Sequence, residues 1–472
     1  MARGAPRLLG QSAAASPGHH RPPPGALQPR SSIDVANGTR RRAGGGGRAA
    51  MKCDIAVVGS GLAALVATRT LQQAGRNAVL IWPGLSSLYF TYATVDVLGY
   101  SDLTTTQPVE QPEAGVAKLI ADHPNHPYAL AGLDALRSGT TLLIEWLRAA
   151  GFTWQGSLAR NLLLPTAIGT PKPSCLYPES MAAGDLQRDE PIVFCGFVGY
   201  EDFVPELAAS NLSRSWGRGD QSVRAIRVSL PGFDTSRLFT SIDLARSFED
   251  KAFRREVASR IRREIAIDSV RVGVPAVLGL THDTDVYSSF AAEVGHPVFE
   301  IPTLPPSVLG LRLFDRLRKH IQESGVEMIW AAPAHEAEVS DGQCRRIYLK
   351  SAGREHPIDA RAYVLALEDM VDGALRAGVH TVVDPFFHQS LAHHAVPTER
   401  TDESLFKPQP FASIGYAVTD RLQPSAGDGH PLARNVFLAG GAIAGYDPVG
   451  TKSRGGLAIA TGYRAAKEAM AA

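Results

Sequence analysis

The chain has 472 residues, 44% of them hydrophobic, and 48 Lys+Arg stand against 47 Asp+Glu for a formal charge of +1. That length suggests two or three domains with sizeable cores, and the balanced charge supplies no global field for nucleic acid or an anionic membrane. No run of 18 or more apolar residues escapes interruption by charge or glycine, so a spanning helix is not expected; the four cysteines, Cys53, Cys175, Cys195 and Cys344, lack C-x-x-C spacing and read as reduced thiols rather than cluster or zinc ligands.

Residues 1–50 carry eight arginines and a single acid, Asp34, among many Pro, Gly, Ala and Ser. Such a segment buries too little apolar surface to offset its ordering entropy, so it is expected to be a disordered basic extension with Met51 as the functional start. No apolar stretch follows Arg40-Arg41-Arg42, which argues against a secretory signal.

From Lys52 to Val58 the chain is apolar and valine-rich, and Gly59-Ser60-Gly61 interrupts it. Leu62, Leu65, Val66 and Leu71 then recur at helical spacing up to Gly75, and Ala78–Trp82 reads as a strand ended by Pro83-Gly84. This is a strand–turn–helix–strand unit with its glycines at the turn. Further along, strands are predicted near 191–195, 222–230, 271–278 and 297–301, with helices near 203–215, 243–265 and 284–294, a rhythm of a second α/β layer. Thr303–Ser307 opens a helix in which Leu309, Leu313, Leu317 and Ile321 recur every four residues. Asp341-Gly342 between 336–339 and 344–349 predicts a hairpin, 358–367 another strand, 384–407 a polar loop, 435–438 a buried strand and 456–471 the last helix.

Gly59 and Gly61, with Ala64 in the third position, make a G-x-G-x-x-A turn after a strand and before a helix. Its backbone is suited to approach a phosphate, with the helix N-terminus stabilising the negative charge. A dinucleotide site usually adds an acid about 20 residues on, yet nothing acidic lies between Asp54 and Asp96, and Trp82-Pro83 end the second strand. NAD therefore loses support, whereas FMN, or FAD held in another way, stays compatible. The C-terminal segment repeats the theme: a strand, Gly440-Gly441, a polar loop, then Gly455-Gly456-Leu457 opening a helix whose N-terminus could face a flavin ring. The candidate cofactor residues are thus Gly59, Ser60, Gly61, Leu62, Ala63, Ala64, Gly440, Gly441, Gly455, Gly456 and Leu457. Arg312 and Lys452 are candidate partners of a substrate phosphate. No catalytic side chain is singled out, because a flavin carries the redox chemistry itself. His388, His393 and His394 match no recurrent metal spacing, and His126, between Pro124 and Pro127, reads as part of a rigid turn.

The run Ile301-Pro302-Thr303-Leu304-Pro305-Pro306-Ser307-Val308-Leu309-Gly310-Leu311-Arg312-Leu313, together with His126-Pro127-Tyr128, Pro408-Gln409-Pro410-Phe411, Thr419-Asp420 and Gly445-Tyr446-Asp447-Pro448, closely resembles the B subunit of anaerobic glycerol-3-phosphate dehydrogenase. The likeness runs from about Met51 to the C-terminus. It implies an α/β fold: a Rossmann-like flavin-binding domain in two segments, 51–185 and 326–472, with a second α/β domain, 186–325, inserted between them. It further implies FMN, with FAD possible, a catalytic A subunit and a membrane-associated iron–sulfur subunit as partners, and electrons from sn-glycerol 3-phosphate delivered to quinone by a cytoplasmic complex held at the inner membrane through those partners. Two alternatives stay open: an accessory protein of the complex that has lost flavin, and a stand-alone flavin dehydrogenase of another small alcohol or acid. Departures from the broader flavoprotein pattern are Gly441 where an Asp is usual, Glu368 near an expected glycine, and Lys452 and Arg454 where small residues precede the double glycine.

Overall fold

The computed structural model describes residues 50–472 apart from 85, 217–221, 234–237, 266–268, 282–284, 331–332, 352–353, 369–374, 379–380, 390, 392–398 and 405–406. The expectations for residues 1–49, for His393 and His394 and for part of the 384–407 loop lie outside the described residues. In chain order the elements that position the site are β1 (Met51–Val58), α1 (Leu62–Gln73), β2 (Ala78–Trp82), α2 (Leu133–Ala149), β3 (Ile192–Phe197), α3 (Pro205–Trp216), β4 (Val223–Val228), α4 (Lys251–Glu264), β5 (Arg271–Pro275), α5 (Asp285–Val294), β6 (Val298–Ile301), α6 (Val308–Glu323), β7 (Glu327–Trp330), β8 (Ala334–Ser340), β9 (Gln343–Ser351), β10 (Arg354–Ala366), β11 (Val436–Ala439) and α7 (Arg454–Met470).

One sheet runs in the order β7–β2–β1–β10–β9–β8. Strands β7, β2, β1 and β10 are parallel, and β11 joins the C-terminal end of β10 in parallel. Val58 pairs with both Ile81 and Leu365, and Leu365 also pairs with Leu438, so the C-terminal ends of β1, β2, β10 and β11 lie level. The loops that leave them therefore share one edge, which is where open α/β sheets bind ligands. Strand β10 is long enough to serve two partners on one side: Arg354–Ile358 pairs with β9 and Tyr363–Ala366 with β11. Asn435 closes the join, accepting from Cys344 N at 2.8 Å and donating to the carbonyls of Cys344 and Arg361, each at 2.9 Å.

A second sheet, β6–β5–β3–β4, is parallel throughout and has its own hydrophobic core around Phe194, Phe197, Phe248 and Phe290. Parallel strands covered by helices bury both faces, which explains why every residue of β3 (Ile-Val-Phe-Cys-Gly-Phe) and of β5 (Arg-Val-Gly-Val-Pro) is buried. The fold is thus α/β, a Rossmann-like sheet joined by a second α/β layer.

Helices α1 and α7 pack against each other and against the first sheet, with Ala63, Ala64, Leu65, Val66 and Ala67 of α1 fully buried. A Cβ on Gly462 of α7 would fall 2.5 Å from Ala63 O, so the two helices cross this closely only because residue 462 is Gly. The beginning and the tail of the described chain therefore meet.

Two expectations change. The single helix predicted over 243–265 is two, Ser241–Ser247 and α4, because Asp250 accepts from Phe253 N at 2.8 Å and starts a new helix while Phe248 turns into the core. The helices Pro112–Asp122, Pro127–Ala131 and α2 are additions to the predicted elements; α2 buries Leu136, Leu143, Trp146 and Leu147.

Candidate functional site

The β1–α1 turn is built as its glycines require. Gly59 adopts φ +148° and donates to Ile81 O at 3.0 Å, and a Cβ on it would stand 2.0 Å from Ala366 O. Its hydrogen is needed because the end of β10 passes directly over the turn. Ser60 is buried, and its carbonyl accepts from Ser86 Oγ at 2.5 Å, which ties the segment after β2 onto the turn. Gly61 is the N-cap of α1 and has no side chain to satisfy the helix start. A Cβ there would lie 1.9 Å from Glu368 Oε1, so the carboxylate of Glu368 rests on this glycine.

Gly440 and Gly441 answer from the other side. Gly440 takes φ +84° and donates to Thr461 Oγ1 at 3.0 Å, and a Cβ on it would stand 2.8 Å from Leu367 O. On Gly441 a Cβ would stand 2.6 Å from Glu368 O. Residues 366–368 thus run between the two glycine turns, which close on this backbone. Gly455 and Gly456 begin α7 against the extended segment 94–97: Gly456 N donates to Asp96 O at 3.0 Å, and a Cβ on Gly456 would meet Tyr128 Oη at 2.2 Å. Tyr128 in turn donates to Val97 O at 2.5 Å.

Beside this crossing lies a cavity of about 560 Å³, within the usual range for small-molecule sites. Leu62 at the start of α1 and Gly455 and Ala458 at the start of α7 line it together, with Leu88, Leu313 and Trp154 as further apolar wall. Three cations, Lys172, Lys452 and Arg454, and two acids, Asp96 and Glu368, reach it. Lys172 Nζ holds Asp96 Oδ2 at 2.7 Å and Thr94 Oγ1 at 2.9 Å, and Ser174 Oγ donates to Asp96 Oδ1 at 2.6 Å. Lys452 sits at φ +50°, and burial pushes its ammonium down from the usual lysine value; Asp96 acts against that shift and Lys172 with it. An anion entering the cavity would relieve that cost.

The structure brings Leu62, Lys452 and Gly455 to one cavity but spreads the other predicted site residues around it. Ala63, Ala64 and Leu457 are packed in the core and position the helices instead of facing the cavity. Gly440 and Gly441 face backbone, for the reason given above. Arg312 is a correction: it borders a separate crevice of about 100 Å³ beside Gly151 and Tyr287. Its guanidinium reaches Glu300 Oε2 at 2.6 Å and Oε1 at 3.0 Å, and Nε donates to Gly279 O at 2.8 Å, so it ties α6 to the second sheet. His126 caps the helix Pro127–Ala131, its Nδ1 accepting from Tyr128 N at 3.1 Å. The Thr94–Asp96–Lys172–Ser174 cluster is invisible to sequence reasoning, since a strand at 171–174 and an extended 94–97 carry no motif. Asp96, the first acid after Asp54, is the one available signal.

Residues 54–456 match the FAD binding domain family. The probable anaerobic glycerol-3-phosphate dehydrogenase B subunit of Halobacterium salinarum is 31% identical over 90% of this chain and 99% of its own length. The anaerobic glycerol-3-phosphate dehydrogenase B subunit of Actinobacillus pleuropneumoniae is 27% identical over 89% of this chain and 99% of its own. Among solved structures, the 3-ketosteroid delta1-dehydrogenase of Sterolibacterium denitrificans aligns with 89% of this chain and all of its own at 12% identity and a TM-score of 0.41. The chain belongs to the FAD binding domain family and to the family of anaerobic glycerol-3-phosphate dehydrogenase B subunits, and is part of a flavin-dependent oxidoreductase.

Proposed function

We propose that this chain is the flavin-bearing subunit of a glycerol-3-phosphate:quinone oxidoreductase. It acts with a catalytic A subunit that oxidises sn-glycerol 3-phosphate to dihydroxyacetone phosphate, and it passes electrons through an iron–sulfur subunit toward membrane quinone. The names of the relatives support the substrate and the multi-subunit setting. Among the described residues no helix is long and apolar enough to cross a membrane, which accords with attachment through partners on the cytoplasmic face. In this reading 51–185 and 326–472 form the flavin-binding domain and 186–325 an inserted α/β domain.

The observation that carries the proposal is the cavity between the starts of α1 and α7. The residues present fit a flavin ring: Leu62, Leu88, Leu313 and Ala458 offer apolar faces, and the start of α7, Arg454 and Gly455, borders the same space. A bound flavin supplies the two-electron chemistry. The protein's part is to hold it, to exclude water with Trp154 and the leucines, and to offer the partial positive charge of a helix start. Lys452 and Arg454 line the cavity beside Lys172, which is already paired with Asp96, and give it the cationic character a phosphate of cofactor or substrate would need. What these side chains do not fit is a phosphate over Gly61, where Glu368 already sits.

Absorbance of the purified chain between about 350 and 500 nm tests the flavin. A yellow protein whose flavin glycerol 3-phosphate bleaches only when the A subunit is present is the expected result. A chain that turns over glycerol 3-phosphate alone is instead a self-sufficient dehydrogenase, and one that stays colourless after reconstitution is an accessory protein of the complex.

A further inference from the structure

The carboxylate of Glu368 occupies a position of consequence. The residue is only 3% exposed, and the Cβ position of Gly61 lies 1.9 Å from its Oε1, 2.6 Å from its Cδ and 2.8 Å from its Cγ. The whole end of the side chain therefore rests on the N-cap of α1. That helix has no acidic residue in its first turn and no side-chain cap, so its partial positive charge meets this carboxylate. A nucleotide phosphate drawn to a glycine turn needs the same place, and two anions cannot share it at neutral pH without strong repulsion.

The neighbouring end of the crossing is closed independently. Where a ribose-binding acid would end β2 stands Trp82, buried, its Nε1 donating to Gly84 O at 2.8 Å and its ring 5.3 Å from both Phe314 and Trp330. Ser86 then bonds down onto Ser60 O. Among the described residues at the end of β2 no carboxylate stands where a ribose would need an acceptor, while the cavity is lined by Lys452, Arg454 and the Asp96-paired Lys172.

We propose that Glu368 is a specificity-determining residue: as a built-in anion on the α1 glycine turn, it excludes the pyrophosphate of a dinucleotide and reserves the cavity for a flavin mononucleotide. This rests on the flavin reading above and adds to it which flavins are refused and by what group.

The test is equilibrium titration of the flavin-free full chain with FMN and with FAD, followed by flavin fluorescence, for the native protein, Glu368→Gly and Glu368→Gln. The native protein should prefer FMN by at least about tenfold, and both variants should narrow that preference by about tenfold, chiefly through tighter FAD. Titration with ADP, which has the pyrophosphate but no flavin ring, should show binding only to the variants. If Glu368→Gly fails to fold, the isosteric Glu368→Gln carries the comparison, since it removes the charge and keeps the volume. Equal affinity of the native chain for FMN and FAD, or an unchanged preference in the variants, overturns the role of Glu368 and leaves the flavin reading standing. Failure of all three proteins to bind either flavin overturns both.

Discussion

Replacing Arg312 by methionine removes one partner of an ion pair in which Glu300 is fully buried and Arg312 is 9% exposed. The carboxylate keeps the Leu278 N–H, which donates to Oε1 at 3.0 Å, but loses both guanidinium bonds. Breaking a buried pair in this way typically costs about 3–5 kcal/mol, and the bond from Nε to Gly279 O is lost as well. Set against a usual total of about 5–15 kcal/mol, that is a large share of the stability. Urea unfolding should show the midpoint falling with little change in slope. Glu300→Gln alone strands the arginine, whereas the double variant leaves no unpaired charge, so the cycle should return a coupling of about 2–3 kcal/mol. Flavin binding by the folded Arg312→Met protein should be unchanged. A variant within about 1 kcal/mol of the native stability that nevertheless loses ligand binding would refute this reasoning and return Arg312 to a ligand-binding role.

The glycines at the turn should differ in what they tolerate: Gly59→Ala drives a Cβ into Ala366 O at 2.0 Å in a left-handed conformation and should abolish soluble expression, because backbone cannot yield. Gly61→Ala meets first the Glu368 side chain, which can shift where backbone cannot, and should fold with a loss of about 1–3 kcal/mol in urea melts. Burial first, and His123 second, pull His126 from its ordinary 6.5 down to about 4. The unfolded chain then binds a proton that the fold refuses, so this contribution is complete above pH 6.5 and is lost as pH falls toward 4; allowing for partial exposure it amounts to about 2 kcal/mol. His126→Asn, which keeps an acceptor at the cap, should remove that part of the pH slope in melts between pH 7 and pH 4. Burial raises the thiols of Cys53, Cys175 and Cys344 to about 12, and that of Cys195 further. Alkylation by iodoacetamide near pH 8 should therefore follow unfolding, and fast modification of the native chain would show the thiols to be accessible.

The elements legible in the sequence are those whose signal is local. An apolar run broken by Gly59 and followed by Leu62, Leu65 and Val66 marks β1 and α1 because strand and helix periods differ there. Asp341 and Gly342, at φ +54° and +68°, form the turn that an Asp-Gly pair favours, both residues tolerating positive φ. Ser307 caps α6 by accepting from Gly310 N at 3.2 Å, in keeping with the proline-rich start. The break at 248–250 is hidden because Phe248 keeps the apolar spacing going while Asp250 restarts the helix. The role of Arg312 is equally hidden: a cation near a proline-rich helix start gives no hint that Glu300, twelve residues earlier, is its buried partner. Lys172 and Asp96, 76 residues apart, meet only through the tertiary fold.

The same limit governs what a glycine motif can mean. A residue without a side chain says that something approaches its Cα; it does not say whether that is a ligand or the chain itself. At Gly59, Gly440 and Gly441 the approaching atoms are the backbone of 366–368, at Gly456 they belong to Tyr128 and Val97, and at Gly61 they are a carboxylate. The motif thus marks a crossing of three chain segments at the level ends of β1, β10 and β11. That crossing fixes the starts of α1 and α7 on one cavity, the one proposed to hold the flavin, even though the space at these glycines is filled by the chain itself. On the proposed flavin reading, ligand contact falls to Leu62 within the motif and to Ala458, Lys172, Lys452 and Arg454 beyond it, with the carboxylate of Glu368 proposed to set which phosphates are admitted.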